Sequence, residues 1–92
     1  MSKMEKHRWT EREDKIAFYA YKFLSDAETN KKADTLPMSN ASFLMRIQNF
    51  RFLDSGKGLG HYSKQSKRIY EKYRTSSKED LELVLSFVKS AV

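Results

Sequence analysis

Apolar residues recur at helical spacing along this chain, in four stretches separated by polar ones. Ile16, Ala20, Phe23 and Ala27 follow one another at i, i+4, i+7 and i+11, with Tyr19 and Leu24 beside them. That spacing predicts a first helix over about Glu11 to Asp26. Its start is marked by Thr10 and Glu13, whose side chains can each take the other's backbone N–H in a capping box. Glu11, Glu13 and Asp14 add negative charge to the first turn, where the helix dipole favours it. Residues 28–37 read as a polar connector, closed by Pro37, which pushes Leu36 toward extended geometry. Ser39 or Asn40 can cap a second helix with the stripe Phe43, Ile47 and Phe50, flanked by Leu44. Ser42, Met45, Gln48 and Asn49 fall on its opposite face, and Arg46 and Arg51 edge the two sides. This helix is expected to fail by Asp54, before the run Ser55-Gly56-Lys57-Gly58-Leu59-Gly60. A third helix, about Ser63 to Arg74, carries a short stripe of Ile69, Tyr70 and Tyr73. Ser76 and Glu79 form a second capping box. They open a fourth helix, about Lys78 to Ala91, with Leu81, Val84, Leu85 and Val88 at i, i+3, i+4 and i+7. No segment alternates as a half-buried strand would. The expectation is therefore an all-α, single compact domain over residues 1–92 with about four short helices, helix-turn-helix-like, and a loose N-terminus over residues 1–8.

Length and composition narrow the chemistry. With 92 residues there is room for one modest core and little room for a deep catalytic cleft. The absence of cysteine removes disulfides, zinc–thiolate sites, iron–sulfur clusters and cysteine nucleophiles, and fits a reducing compartment. No apolar run approaches the ~18 residues of a membrane span. The charged N-terminus is not followed by the apolar core of a signal peptide, which leaves a bacterial or phage cytosol or a nucleus open, and a cytoplasmic location is expected.

Charge points toward a partner. Eighteen Lys and Arg stand against twelve Asp and Glu, a formal net charge of +6. Such a balance favours nucleic acid, an anionic membrane face or an acidic protein. The excess is concentrated. Residues 63–74 hold Lys64, Lys67, Arg68, Lys72 and Arg74 against Glu71 alone. Lys64, Lys67 or Arg68, and Lys72 lie three or four apart and share much of one helix face. A charged helix face is most often just the solvated side, but this one has almost no compensating acid and suits a phosphate backbone. On the second helix, Ser42, Arg46, Gln48, Asn49 and Arg51 are of the types that pair with base edges or phosphates, which would suit a recognition helix. An ordinary amphipathic helix with a polar outer face explains the same pattern.

Enzyme signatures are missing. The glycine run around Lys57 lacks the spacing of a Walker loop and has no βαβ unit around it, so it reads as a helix-to-helix turn whose Lys57 and free amides can touch a phosphate. His7 and His61 are far apart and stand in no metal-binding arrangement. The carboxylates mostly sit where helix N-termini explain them. The expectation is a protein without catalysis, metal or cofactor, and the basic third helix lacks the broad apolar face that membrane insertion requires.

Two stretches carry a family resemblance. Arg8-Trp9-Thr10-Glu11-Arg12-Glu13-Asp14 resembles the opening of helix 1 in Myb/SANT-type domains. A longer pattern begins with residues 40–54, Asn-Ala-Ser-Phe-Leu-Met-Arg-Ile-Gln-Asn-Phe-Arg-Phe-Leu-Asp. It continues through Gly56-Lys57-Gly58-Leu59 and Ser63-Lys64 to Tyr70-Glu71-Lys72-Tyr73. Over residues 8–74 this resembles the helical N-terminal domain that precedes the nuclease in bacterial HNH restriction-type endonucleases. Ala41-Ser42 departs from the family's usual Gly-Val, Ser55 from its Pro, and no His-Asn-His metal site follows. The resemblance implies a DNA-related accessory module from the restriction or phage–host conflict setting, without catalysis.

Two functions follow as expectations. The first is a small nucleic-acid-binding domain, with DNA ahead of RNA, contacting its ligand through Arg46, Asn49, Arg51, Lys57, Lys64, Lys67 and Arg68. The second is a protein-binding inhibitor or adaptor of anti-restriction or anti-CRISPR type. It would set the same basic face against an acidic protein or nucleoprotein surface in the host cytosol.

Overall fold

A computed structural model describes residues 8–56 and 62–85. Five helices follow one another, with no strand among the described residues: α1 (Glu11–Phe23), α2 (Asp26–Ala33), α3 (Asn40–Ser55), α4 (Lys64–Tyr73) and α5 (Lys78–Leu85). The all-α expectation holds. The helix count differs from the expected four because the first helix stops at Phe23. Leu24 is extended and its N–H closes the last turn on the Ala20 carbonyl at 3.1 Å. Ser25 then opens α2 with a capping box of its own. Its Oγ accepts from the Glu28 N–H (3.2 Å), and Glu28 accepts from the Ser25 N–H (2.9 Å). The periodicity that runs on to Ala27 is coincidental, since Ala27 is exposed in α2. The Thr10–Glu13 capping box forms as expected, and Ser39 rather than Asn40 caps α3. The cap of α5 lies one residue later than expected. Ser77 Oγ accepts from the Asp80 N–H at 3.1 Å, in place of a Ser76–Glu79 box. Helix α3 passes Asp54 and ends at Gly56, whose φ of 75° is a left-handed value that glycine adopts without Cβ strain. The expectations for residues 1–7 and for Val88 to Ala91 lie outside the described residues.

Helix α1 is the hub. Ile16, Ala17, Phe18, Tyr19 and Ala20 are all buried, which no one-sided helix can manage. It is surrounded because α3, α4 and α5 all pack on it, while α2 packs on α3. Phe18 lies at the centre, fully buried, with Phe50 of α3 tilted against it at 5.3 Å and Tyr70 of α4 edge-on at 6.2 Å. Such pairs add to the area term that drives burial. Phe43 of α3, Ile69 and Tyr73 of α4, and Leu81 and Leu85 of α5 complete the core, with Ala33 and Met38 closing it under the α2–α3 link. Some stripe and flanking positions are more peripheral than expected, Phe23 and Tyr70 among them, both half-buried. Ile47 is half-buried, and Leu44 and Val84 are each 43% exposed. No helix among the described residues is long and apolar enough to cross a membrane.

Candidate nucleic-acid interface

Helix α4 is sharply two-sided. Ser66, Ile69 and Tyr73 are buried and hold it on α1, while Lys64, Lys67, Arg68, Glu71 and Lys72 face solvent. The 3.6-residue period puts these outward residues on one strip, as expected from their spacing. The first turn of α4 contains no acid, so the positive end of the helix dipole adds to the field of the lysines. Among the described residues, the ion pair on this strip joins Arg68 Nη2 to Glu11 Oε2 at 3.7 Å, with both side chains about 60% exposed. A contact that long and that wet contributes little and yields readily to a ligand. Lys67 Nζ lies 6.0 Å from the ring centre of Tyr62, just before the helix cap Ser63. Lys72 of α4 and Lys15 of α1 approach the Tyr73 ring from 5.4 and 5.5 Å, edging a shallow open groove of about 490 Å³. Its walls mix Glu11 and Glu71 with Lys15, Arg68 and Lys72, over a floor of Ile69 and Tyr73.

What orients this strip is a polar knot beneath it. Asp14 is completely buried, yet its carboxylate accepts four hydrogen bonds from three directions. Arg46 of α3 binds it in a fork, Nε to Oδ1 at 2.7 Å and Nη2 to Oδ2 at 2.8 Å. Gln65 Nε2 of α4 donates to Oδ2 at 2.6 Å, and Ser66 Oγ to Oδ1 at 2.9 Å. The Arg46 guanidinium also lies 4.5 Å from the Trp9 ring centre, and Gln65 reaches the Trp9 carbonyl at 3.2 Å. A buried charge is tolerated only when paired and hydrogen-bonded in this way.

The knot corrects the reading of Arg46. Its side chain is 14% exposed and committed to Asp14, so it does not belong to an outward contact set. Asn49 is half-buried, and its amide donates back to the Met45 carbonyl at 3.3 Å. The outer face of α3 instead presents Leu44 and Met45, 43% and 50% exposed, with Arg51 exposed two turns on from Leu44. Lys64, Lys67 and Arg68 are thus brought together on α4, Arg51 stands on a separate helix, and Lys57 lies outside the described residues.

A second carboxylate ties the same three helices. Asp54 of α3 accepts from Tyr21 Oη of α1 at 2.7 Å and from Tyr70 Oη of α4 at 2.9 Å. The Tyr21 bond lowers the Asp54 pKa, while burial and the same carboxylate push Tyr21 up to about 12 and raise Tyr70. The sign follows from linkage. The phenols stay protonated in the folded state after an unfolded chain would lose the proton near pH ~10. The Tyr21 contribution is full below that pH and lost as pH rises through about 12, and the Tyr70 contribution is lost in the same direction. The Asp54 contribution is present above the ordinary carboxylate range and lost as pH falls through its lowered value. Thermal unfolding measured against pH should therefore show a steeper alkaline loss for the parent than for Tyr21→Phe. Parallel curves would mean that the Tyr21–Asp54 bond does not form in solution.

Sequence reasoning missed Asp14, Gln65 and Ser66, and it placed Asp14 with the capping acids. The available signal was its register: Asp14 precedes Ala17 by three and Phe18 by four, on the face that becomes buried. Among the described residues no group of three or more His, Cys, Asp or Glu side chains could hold a metal ion. His7 and His61 lie outside the described residues. Compared with protein-family models, with curated proteins and with solved structures, the chain matches none of them.

Proposed function

We propose that the protein is a small non-catalytic nucleic-acid-binding domain that grips a phosphate backbone with the outward strip of α4. The observation that carries this reading is the set Lys64, Lys67, Arg68 and Lys72, exposed on one helix face with a single long, exposed carboxylate contact among the described residues. Each phosphate neutralised by such a cation releases condensed counterions, which drives binding without base readout. The resemblance of residues 8–74 to the domain ahead of HNH restriction-type nucleases supports DNA, and with it a role in bacterial or phage defence and counter-defence in the host cytosol. With Arg46 and Asn49 otherwise engaged, helix α3 is not asked to read bases as the recognition helix of a helix-turn-helix, and little sequence preference is expected.

A protein-binding inhibitor or adaptor is the second reading. It is favoured by the exposed apolar pair Leu44 and Met45, of which Met45 lies on the polar face expected to read bases. Titrating a DNA duplex into isotopically labelled protein separates the two. The first reading expects amide shifts concentrated at α4. An absence of shifts with DNA, together with shifts around Leu44 and Met45 on adding a host protein complex, would favour the second.

A further inference from the structure

Tyr62 is the one aromatic among the large apolar side chains of the described residues that are strongly exposed, at 40%. It is not a loose ring. Phe52, half-buried near the end of α3, stacks on it with ring centres 6.0 Å apart and planes 25° from parallel. Ser63 follows it directly and caps α4, so the ring is tethered at the start of the basic strip. Lys67 Nζ is 6.0 Å from its centre, and Lys64 is two residues along the chain. A supported, exposed aromatic beside cations is what an unpaired nucleotide requires: a π-face for the base and ammonium groups for its phosphates. The bases of an intact duplex are already stacked on one another and cannot use the ring.

We infer that Tyr62, backed by Phe52 and flanked by Lys64 and Lys67, is a stacking platform for an unpaired DNA base, so that the protein prefers single-stranded DNA or a locally opened duplex. This rests on the phosphate-binding reading of α4 and adds the class of strand to it. The arrangement explains why an aromatic is left in water at the edge of the interface rather than folded into the core.

The test is fluorescence anisotropy with a fluorescein-labelled single strand and with the duplex of equal length, at ~50 mM salt where backbone contacts are strong. The parent is expected to bind the single strand more tightly. Tyr62→Ala should weaken single-strand binding on the order of tenfold and leave duplex binding nearly unchanged, while Tyr62→Phe, which keeps the π-face, should behave as the parent. Unfolding midpoints of both variants near that of the parent would exclude a folding effect. Lys67→Glu with Arg68→Glu should weaken both ligands. If the parent binds both strands and Tyr62→Ala changes them equally or not at all, the platform is wrong and the phosphate-binding reading stands. If the parent binds neither, both are wrong.

Discussion

Replacing Asp14 by alanine is expected to destabilise the fold by about 3–5 kcal/mol, because it strands the Arg46 charge with little water to take its place. The carboxylate is completely buried and accepts from Arg46, Gln65 and Ser66, so its removal leaves donors on both α3 and α4 without their acceptor. A chain of this size is stable by roughly 5–14 kcal/mol in all, so the variant would keep a fraction of its margin or none. Arg46→Ala should cost a similar amount by leaving the buried anion unpaired. The two effects should not add. The double variant removes both charges together, and a coupling of about 0.5–3 kcal/mol is expected. Urea unfolding at neutral pH measures all three. An Asp14→Ala midpoint close to the parent's would show that the knot does not hold α1, α3 and α4 together.

The helical character of the chain was legible because local signals agreed with the fold. The Thr10–Glu13 box, Ser39 before Asn40 and Gly56 after Ser55 each do locally what tertiary structure also needs. The break between α1 and α2 was not legible from periodicity, since Phe23 and Ala27 keep the helical spacing across it. The decisive signal was the Ser25–Glu28 capping box, a local feature that outweighs an apolar pattern only four residues further on. The basic strip of α4 was legible for a similar reason. Its buried residues and its cations are on one ten-residue helix, so helical spacing alone assigns their faces. The role of Arg46 was not. Its partner Asp14 is 32 positions away, and a carboxylate in a first turn is usually a capping acid. Only the packing of α3 on α1 turns that pair inward and leaves Leu44 and Met45 outside.

The second large effect concerns the strip itself. Lys67→Glu with Arg68→Glu replaces two cations at its centre by two anions. Lys67 and Arg68 are exposed, and the only ion pair given up among the described residues is the 3.7 Å contact to Glu11. The unfolding midpoint should therefore barely move, exposed pairs contributing about 0–1 kcal/mol. Binding should collapse. Two phosphate contacts are lost and two repulsions take their place, so affinity for DNA is expected to fall on the order of 10²-fold or more at low salt. Leu44→Asp, by contrast, should leave DNA binding nearly intact, because Leu44 is on the outer face of α3.

The measurement that bears most directly on the strip as a phosphate clamp is the salt dependence of duplex binding by the parent protein. Four cations on α4, each neutralising one phosphate, give a slope of log affinity against log salt near −3.6 and a loss of about 10²-fold between ~50 and ~200 mM salt. The expected result is a steep, linear decline of that order, flattened in the Lys67→Glu, Arg68→Glu variant. A parent protein that fails to bind at ~50 mM salt, or whose affinity is indifferent to salt, would contradict the account.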